Sequence, residues 1–170
     1  PKFSKKIFDF LDWGALTPRP KLSFQQKPGT AERSADMKKN IVIVGLGLIG
    51  GSLAKALSSR TEHTVTGIDV SPDVLERALS EGAIHSIGTP DSLREADLVL
   101  LCIYPEAAVS FIEEYGHLIP KDCVVADTCG IKGEICRRMP PLAQRFGFTF
   151  IGCHPMAGKE RNGFEYSEAS

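Results

Sequence analysis

Residues 41–52 read Ile-Val-Ile-Val-Gly-Leu-Gly-Leu-Ile-Gly-Gly-Ser, and no other stretch says as much about the architecture. Its first four residues are all β-branched, which is typical of a strand buried in a parallel sheet. Gly45, Gly47 and Gly50 follow at the spacing G-x-G-x-x-G, and residues 53–57 continue with the period of a helix. The stretch therefore predicts a strand, a tight turn and a helix that begins at the turn.

Each glycine of this motif has its own predicted role. Gly45 permits the tight turn, Gly47 lets the backbone approach a pyrophosphate, and Gly50 lets the helix pack close to the sheet. The helix N-terminus offers free N–H groups and the positive end of its dipole to phosphates. We therefore predict a dinucleotide site whose loop contacts are Gly45, Leu46, Gly47, Leu48, Ile49 and Gly50.

An acidic residue stands at the distance that such a site requires. Asp69 follows a second predicted strand and lies 19 residues after Gly50. A carboxylate there accepts hydrogen bonds from an adenosine ribose and repels a 2′-phosphate, and no arginine follows it directly. The pattern favours NAD over NADP as the cofactor. The alternative is that Asp69 only caps the next helix, over residues 72–80.

Strands and helices are predicted to alternate from Lys39 onward. The predicted strands cover residues 41–45, 64–69, 84–87, 98–103, 123–126 and 148–151. The predicted helices cover residues 48–59, 72–81, 105–115 and 132–145, with a helix or turn over 89–96 and an interruption of the last helix at Pro140-Pro141. This alternation predicts an α/β fold over residues 37–170, a Rossmann-type doubly wound parallel sheet with right-handed crossovers.

In such a sheet the ligand lies outside the carboxyl ends of the strands, so the loops at that edge should converge on one crevice. The five loops concerned cover residues 45–50, 69–71, 102–106, 127–132 and 152–158. Within them, the further candidate cofactor contacts are Cys102, Ile103, Tyr104, Asp127 and Cys129.

The chemically capable side chains of these loops have competing interpretations. His154, with its backbone restricted by Pro155, either accepts a proton from a substrate hydroxyl or closes a loop structurally. Asp127 either caps the following helix or orients a neighbour. Lys132 either reaches a substrate carboxylate or is solvated, and solvation is favoured. Cys129 has no adjacent base in the sequence, which argues against a nucleophilic role.

Composition narrows the function classes. Residues 1–39 carry nine Lys/Arg and four Asp/Glu, whereas residues 40–170 carry eleven and seventeen, so the acidic body argues against nucleic-acid binding. The sequence contains no run of 18 apolar residues, so no membrane span is predicted. The five cysteines are irregularly spaced, which suggests no zinc or other metal site, no disulfide framework and a reducing, cytoplasmic location. Residues 1–36 lack a sustained period and are predicted to be a poorly ordered tail or extension.

Three blocks of sequence together resemble the nucleotide-binding half of the prephenate dehydrogenase family. They are G-L-G-L-I-G-G-S at 45–52, D-x-x-x-x-K at 127–132 and G-C-H-P-M-A-G-K-E-R-N-G at 152–163, and the resemblance covers residues 38–170. It implies NAD-dependent oxidative decarboxylation of prephenate to 4-hydroxyphenylpyruvate, in tyrosine biosynthesis. It also implies that His154 is the catalytic histidine, which hydrogen-bonds the ring hydroxyl.

Two positions depart from the family's pattern. Gly130 stands where many relatives have a serine that helps to hold the substrate hydroxyl and the nicotinamide, which leaves Thr128, Cys129 or a water as alternatives. Lys159 stands where some relatives have a small hydroxyl residue. The expected substrate contacts are therefore Thr128, Gly130, Lys132 and Lys159.

The resemblance also implies a second, helical domain that forms a homodimer and supplies an arginine to the substrate carboxylate. The chain stops at Ser170, so we expect a cofactor-binding half with little turnover of its own. Arogenate is an alternative substrate, and a hydroxyacid or imine reductase is an alternative enzyme of this architecture. A non-catalytic nucleotide-sensing module is the alternative of another class.

Overall fold

Six parallel strands form one sheet in the order β3-β2-β1-β4-β5-β6. The computed structural model describes residues 38–155 and 162–169, so the predicted tail over residues 1–36 and the predicted contact Lys159 lie outside the described residues. The strands are β1 Asn40–Val44, β2 Thr64–Ile68, β3 Ser86–Ile87, β4 Leu98–Leu101, β5 Val124–Asp127 and β6 Thr149–Gly152. The strand order reverses between β1 and β4, which is the point where a doubly wound sheet binds its ligand.

Four helices connect these strands, and the predicted Rossmann-type α/β fold is confirmed. They are α1 Leu48–Arg60, α2 Pro72–Ser80, α3 Pro105–Tyr115 and α4 Lys132–Phe146. Short 3-10 turns cover Pro90–Glu95, Gly116–Leu118 and Phe164–Tyr166. Within the described part of the chain, every helix is too short or too polar to cross a membrane.

The main core lies between the central strands and helices α3 and α4. Val99 and Val125 face it from β4 and β5, and both are fully buried. Ile112 of α3 and Ile135 and Met139 of α4 are equally buried against them. These strands are buried on both faces, which is why their sequences are continuously apolar and do not alternate.

The predicted interruption of the last helix at Pro140-Pro141 is wrong, because α4 runs through both prolines. A proline in a helix removes the hydrogen bond to the carbonyl four residues earlier, here those of Cys136 and Arg137. The two prolines and the two residues whose carbonyls lose their partners are all exposed, so water can hydrogen-bond to these carbonyls. The apolar face of α4 is buried on the opposite side, and its packing holds the helix together.

Candidate functional site

The glycine loop after β1 has a geometry that only glycine tolerates at two of its positions. Gly45 has φ +89°, and its N–H donates to the Ile68 carbonyl at 2.8 Å. A Cβ on Gly45 would lie 2.5 Å from the Ile103 side chain, and one on Gly50 would collide with the Gly45 carbonyl. The turn is therefore tight, and it presses α1 against both β1 and the loop after β4.

The N-terminus of α1 forms an open cradle. Gly47 is the N-cap, no side chain caps the helix, and its first turn holds no acidic residue. A Cβ on Gly47 would meet no atom within 4 Å, so the backbone here borders open space. Since the first N–H groups of a helix have no partners within it, this cradle offers donors and a positive dipole end. A pyrophosphate fits this donor set.

The Asp69 carboxylate lies against the glycine loop. One oxygen accepts the Leu46 N–H at 2.7 Å, and the other accepts the Ser71 N–H at 2.9 Å. Ser71 is the N-cap of α2, so these bonds hold the loop before the helix and not its first turn. The structure thus places Asp69 beside the phosphate cradle, with lone pairs still open for a ribose diol. The neighbouring Val70 side chain is fully exposed.

The loops after β4 and β5 are tied together by short polar contacts. The Thr128 hydroxyl donates to the Leu101 carbonyl at 3.3 Å, and the Cys129 thiol donates to the Ile103 carbonyl at 3.3 Å. Both side chains are buried, and their hydrogens are committed to these carbonyls. Thr128 and Cys129 thus tie the end of β5 to the end of β4 and to the loop that follows it.

Burial keeps the thiols of this edge protonated. It raises the pKa of Cys102 to about 12. Burial, together with the charge of Asp127, raises the pKa of Cys129 to about 11 and also raises that of Cys153. Because the thiolate is the reactive form, a raised pKa lowers the reactivity of these thiols.

Asp127 and Lys132 form an ion pair at the end of β5. The Asp127 side chain is fully buried. Its Oδ2 accepts hydrogen bonds from the Lys132 ammonium at 2.5 Å and from the Cys129 N–H at 2.9 Å. The same ammonium donates to the Cys153 carbonyl. The prediction of a solvated Lys132 is therefore wrong, since a buried carboxylate needs a compensating cation more than the cation needs water. Asp127 orients neighbours and does not cap α4, whose N-cap is Ile131.

His154 follows β6 and faces the loop after β5. Its Nε2 lies 3.5 Å from the position that a Cβ on Gly130 would occupy. His154 is exposed, as is Gly130. The histidine and the serine-replacing glycine, 24 residues apart in the sequence, are thus neighbours at the carboxyl edge of the sheet.

Contacts along this edge connect the five loops, the last of which is described as far as Pro155. Asp69 accepts a hydrogen bond from the glycine loop, and the glycine loop packs against the Ile103 side chain. The Ile103 carbonyl in turn accepts a hydrogen bond from the Cys129 thiol. Gly130 then borders His154. Tyr104 and Ile131, the N-caps of α3 and α4, are 81% and 77% exposed at the same edge.

Sequence reasoning missed the return of the chain onto α1. Phe164 is buried there, with the Lys55 ammonium 4.5 Å from its ring centroid. The Ser167 carbonyl accepts a hydrogen bond from Lys55 at 3.2 Å, and the Glu168 N–H donates to Ser52 at 3.1 Å. The available signal was Gly51, where a Cβ would lie 2.7 Å from the Phe164 ring.

Comparisons with known proteins point to one family. The family model described as prephenate dehydrogenase, nucleotide-binding domain, matches residues 53–170. A cyclohexadienyl dehydrogenase from Zymomonas mobilis is 34% identical over 128 residues, which cover 74% of this chain and 43% of that protein.

Solved structures agree with this result. A prephenate dehydrogenase from Aquifex aeolicus, in complex with hydroxyphenyl propionate and NAD+, matches with a TM-score of 0.70 and 28% identity over 80% of this chain and 48% of that one. An arogenate dehydrogenase from Synechocystis matches with a TM-score of 0.68 and 29% identity, over 76% of this chain and 45% of that one. The chain spans less than half the length of these three relatives.

Proposed function

Because the chain belongs to the prephenate dehydrogenase family, as its nucleotide-binding domain, we propose that it binds NAD and serves the oxidative decarboxylation of prephenate to 4-hydroxyphenylpyruvate. The product is a precursor of tyrosine, so the proposed step would belong to tyrosine biosynthesis. His154 is proposed as the catalytic residue. The remainder of the substrate site, including a group for the substrate carboxylate and a homodimer contact, would come from chain outside residues 38–170.

The cofactor proposal is supported by three features of the carboxyl edge. The open cradle at Gly47 suits a pyrophosphate, Asp69 suits the adenosine ribose, and the exposed Val70 offers an apolar contact to a base. The negative charge of Asp69 favours NAD, since a 2′-phosphate would be repelled. Farther along the edge, Cys102, Ile103 and the exposed Tyr104 would border the nicotinamide end.

His154 carries the proposed chemistry. Bound NAD+ would supply the hydride acceptor. The neutral imidazole of His154 takes the proton from the ring hydroxyl while the hydride leaves the same carbon. The bond to the ring carboxylate then breaks, its electron pair enters the ring, carbon dioxide departs, and the phenolate oxygen takes up a proton. Aromatisation provides much of the driving force, so the protein mainly orients the reactants and supplies one base.

The single observation that carries this proposal is the position of His154 Nε2 against Gly130, at the edge where the glycine loop lies. Among the expected substrate contacts, Gly130 borders the proposed base directly. The Thr128 hydroxyl instead donates to the Leu101 carbonyl, and the Lys132 ammonium pairs with Asp127.

The test is a turnover assay on the protein that contains this chain in its complete reading frame. Reduction of NAD+ at 340 nm and release of carbon dioxide would be followed with prephenate and, separately, with arogenate. We expect one carbon dioxide for each NADH formed, and loss of about a thousandfold in kcat on His154→Asn. Reduction without carbon dioxide, or full activity of His154→Asn, would favour a different hydride-transfer enzyme. Tight NAD binding with no turnover would favour a sensing module.

A further inference from the structure

We propose that Lys132 is a positioning residue for His154, and that it acts with Asp127 by holding the peptide group that precedes the histidine. This inference rests on the proposed role of His154 as the proton acceptor. It assigns Lys132 a task inside the protein, in place of the expected contact with a substrate carboxylate.

The contacts around Cys153 are the first support. The Lys132 ammonium donates to the Cys153 carbonyl, which belongs to the peptide joining Cys153 to His154. On the other side of the residue, the Cys153 N–H donates to the Asp127 backbone carbonyl at 3.0 Å and lies 3.3 Å from Asp127 Oδ1. Both peptide groups of Cys153 are therefore fixed by the same pair of residues.

These contacts lie at the end of the edge strand β6, directly before His154. Strand β6 ends at Gly152, lies at the edge of the sheet and pairs with β5 alone. The backbone bond from Cys153 to the Asp127 carbonyl continues the ladder one residue past Gly152, and the side chains of Asp127 and Lys132 hold that same residue. His154 is exposed, so packing does little to fix its imidazole. Its orientation toward Gly130 then depends on the backbone from which it projects.

Electrostatics keeps Lys132 in this position. The Asp127 carboxylate is fully buried, and the Lys132 ammonium is the cation that lies on it. Removing the ammonium to meet a substrate would leave a buried charge without its partner, which is strongly unfavourable. The substrate-contact and positioning roles therefore predict different kinetics. Loss of a substrate contact raises KM, whereas a displaced base lowers kcat.

The experiment uses the complete protein with Lys132→Met, Lys132→Arg, and the double variant Asp127→Asn/Lys132→Met, which removes both charges together. Lys121→Met is the matched control, because Lys121 is an exposed lysine outside the site. Folding is checked by circular dichroism and thermal unfolding, and NAD binding by calorimetry. If Lys132→Met does not fold, the double variant and Lys132→Arg decide the question.

We expect Lys132→Met and the double variant to lower kcat by about tenfold or more, with KM for the substrate changed by less than about threefold. Lys132→Arg should recover a large part of kcat, since it keeps the charge and the donors, and Lys121→Met should match the unchanged protein. A rise in KM with kcat unchanged would overturn the proposal in favour of substrate contact. An unchanged kcat in the double variant would overturn it as well.

His154→Asn, measured in parallel, separates this proposal from the one on which it rests. If His154→Asn keeps full kcat, the proposed function fails and this inference fails with it. If His154→Asn is inactive while Lys132→Met and the double variant keep full kcat, only the positioning role of Lys132 fails.

Discussion

Among the expected substrate contacts, Gly130 is the residue that borders the proposed base His154. Its φ lies outside the left-handed region, and a Cβ there would make only ordinary van der Waals contact with His154 Nε2, at 3.5 Å. A serine would thus fit, and a hydroxyl turned toward the imidazole would lie within hydrogen-bond distance of it. Glycine at this position follows from no steric demand of the fold.

We expect Gly130→Ser to raise kcat by about two- to tenfold, because a neutral hydrogen bond of this kind contributes about 0.5–1.5 kcal/mol. The gain would come from a hydroxyl that orients the imidazole or the substrate hydroxyl. Steady-state kinetics of the complete protein measures it. Gly133→Ser is the matched control, since a Cβ on Gly133 meets no atom within 4 Å. An equal change in both variants would rule out the proposed contact.

The buried Cys123, which directly precedes β5, predicts a loss of stability in alkali. Burial, with the charges of Asp97 and Asp122, raises the pKa of its thiol to about 12. Between the unfolded value, about 8.5, and that value, the folded chain keeps a proton that the unfolded chain loses. The free energy of unfolding therefore falls as the pH rises, by up to about 1.4 kcal/mol per pH unit for this thiol.

Urea unfolding at pH 7.5, 9.0 and 10.5, values that straddle the onset at about 8.5, would measure this dependence. Cys123→Ala removes the titrating group, so its stability should fall less steeply over the same range than that of the unchanged chain. Cys136→Ala is the comparison variant, because Cys136 is exposed. Identical slopes in all three proteins would show that burial of Cys123 does not couple its titration to folding.

Helix α4 is an element held in place by its packing and not by its own sequence preferences. Its prolines cost two backbone hydrogen bonds, while Ile135, Met139 and Ala143 anchor its buried face. We expect Pro140→Ala to raise the free energy of unfolding by about 1–2 kcal/mol. Alanine restores the backbone hydrogen bond and the helix propensity that proline lacks, and this gain exceeds the cost of the greater conformational entropy of the unfolded chain. Urea unfolding measures the change, with the exposed Gln144→Ala as control. A destabilised Pro140→Ala would mean that the helix needs this proline.

Helix α1 and the segment 162–169 depend on each other through one glycine. A Cβ on Gly51 would lie 2.7 Å from the Phe164 ring and 2.9 Å from Ser167. We expect Gly51→Ala to displace the segment and to speed amide hydrogen exchange across it by about tenfold, because its protection rests on this packing. Gly133→Ala, at an open helix position, should leave that exchange unchanged. Equal exchange in both variants would mean that the segment is held by other contacts.

The architecture of the whole domain could be predicted because its patterns are local. The apolar strands, the glycine loop and the prolines at helix starts locate the elements to within a few residues. The course of α4 through Pro140-Pro141 could not be predicted, since it depends on which side of the helix is buried. The Lys132 ion pair, the approach of His154 to Gly130 and the docking of Phe164 join loops distant in sequence. The hydrophobic periodicity of the sequence carries no information about contacts between distant loops.

One edge of the domain carries, in order along the sheet, the Asp69 carboxylate after β2, the glycine loop after β1 and the proposed base His154 after β6. The cradle at Gly47 and the carboxylate of Asp69, which are proposed to hold the pyrophosphate and the ribose, both belong to residues 38–155. We therefore expect the 170-residue chain to bind NAD by itself, with little turnover of its own.

Calorimetric titration of this chain with NAD+ and with NADP+ is the measurement to make first. We expect saturable binding of NAD+ and at least tenfold weaker binding of NADP+, about 1.4 kcal/mol or more, because the Asp69 carboxylate repels a 2′-phosphate. Asp69→Asn, which keeps an acceptor for the Leu46 N–H, should reduce that preference. Equal affinity for the two cofactors, or no binding of either by the folded chain, would show that this edge is not the NAD site described here.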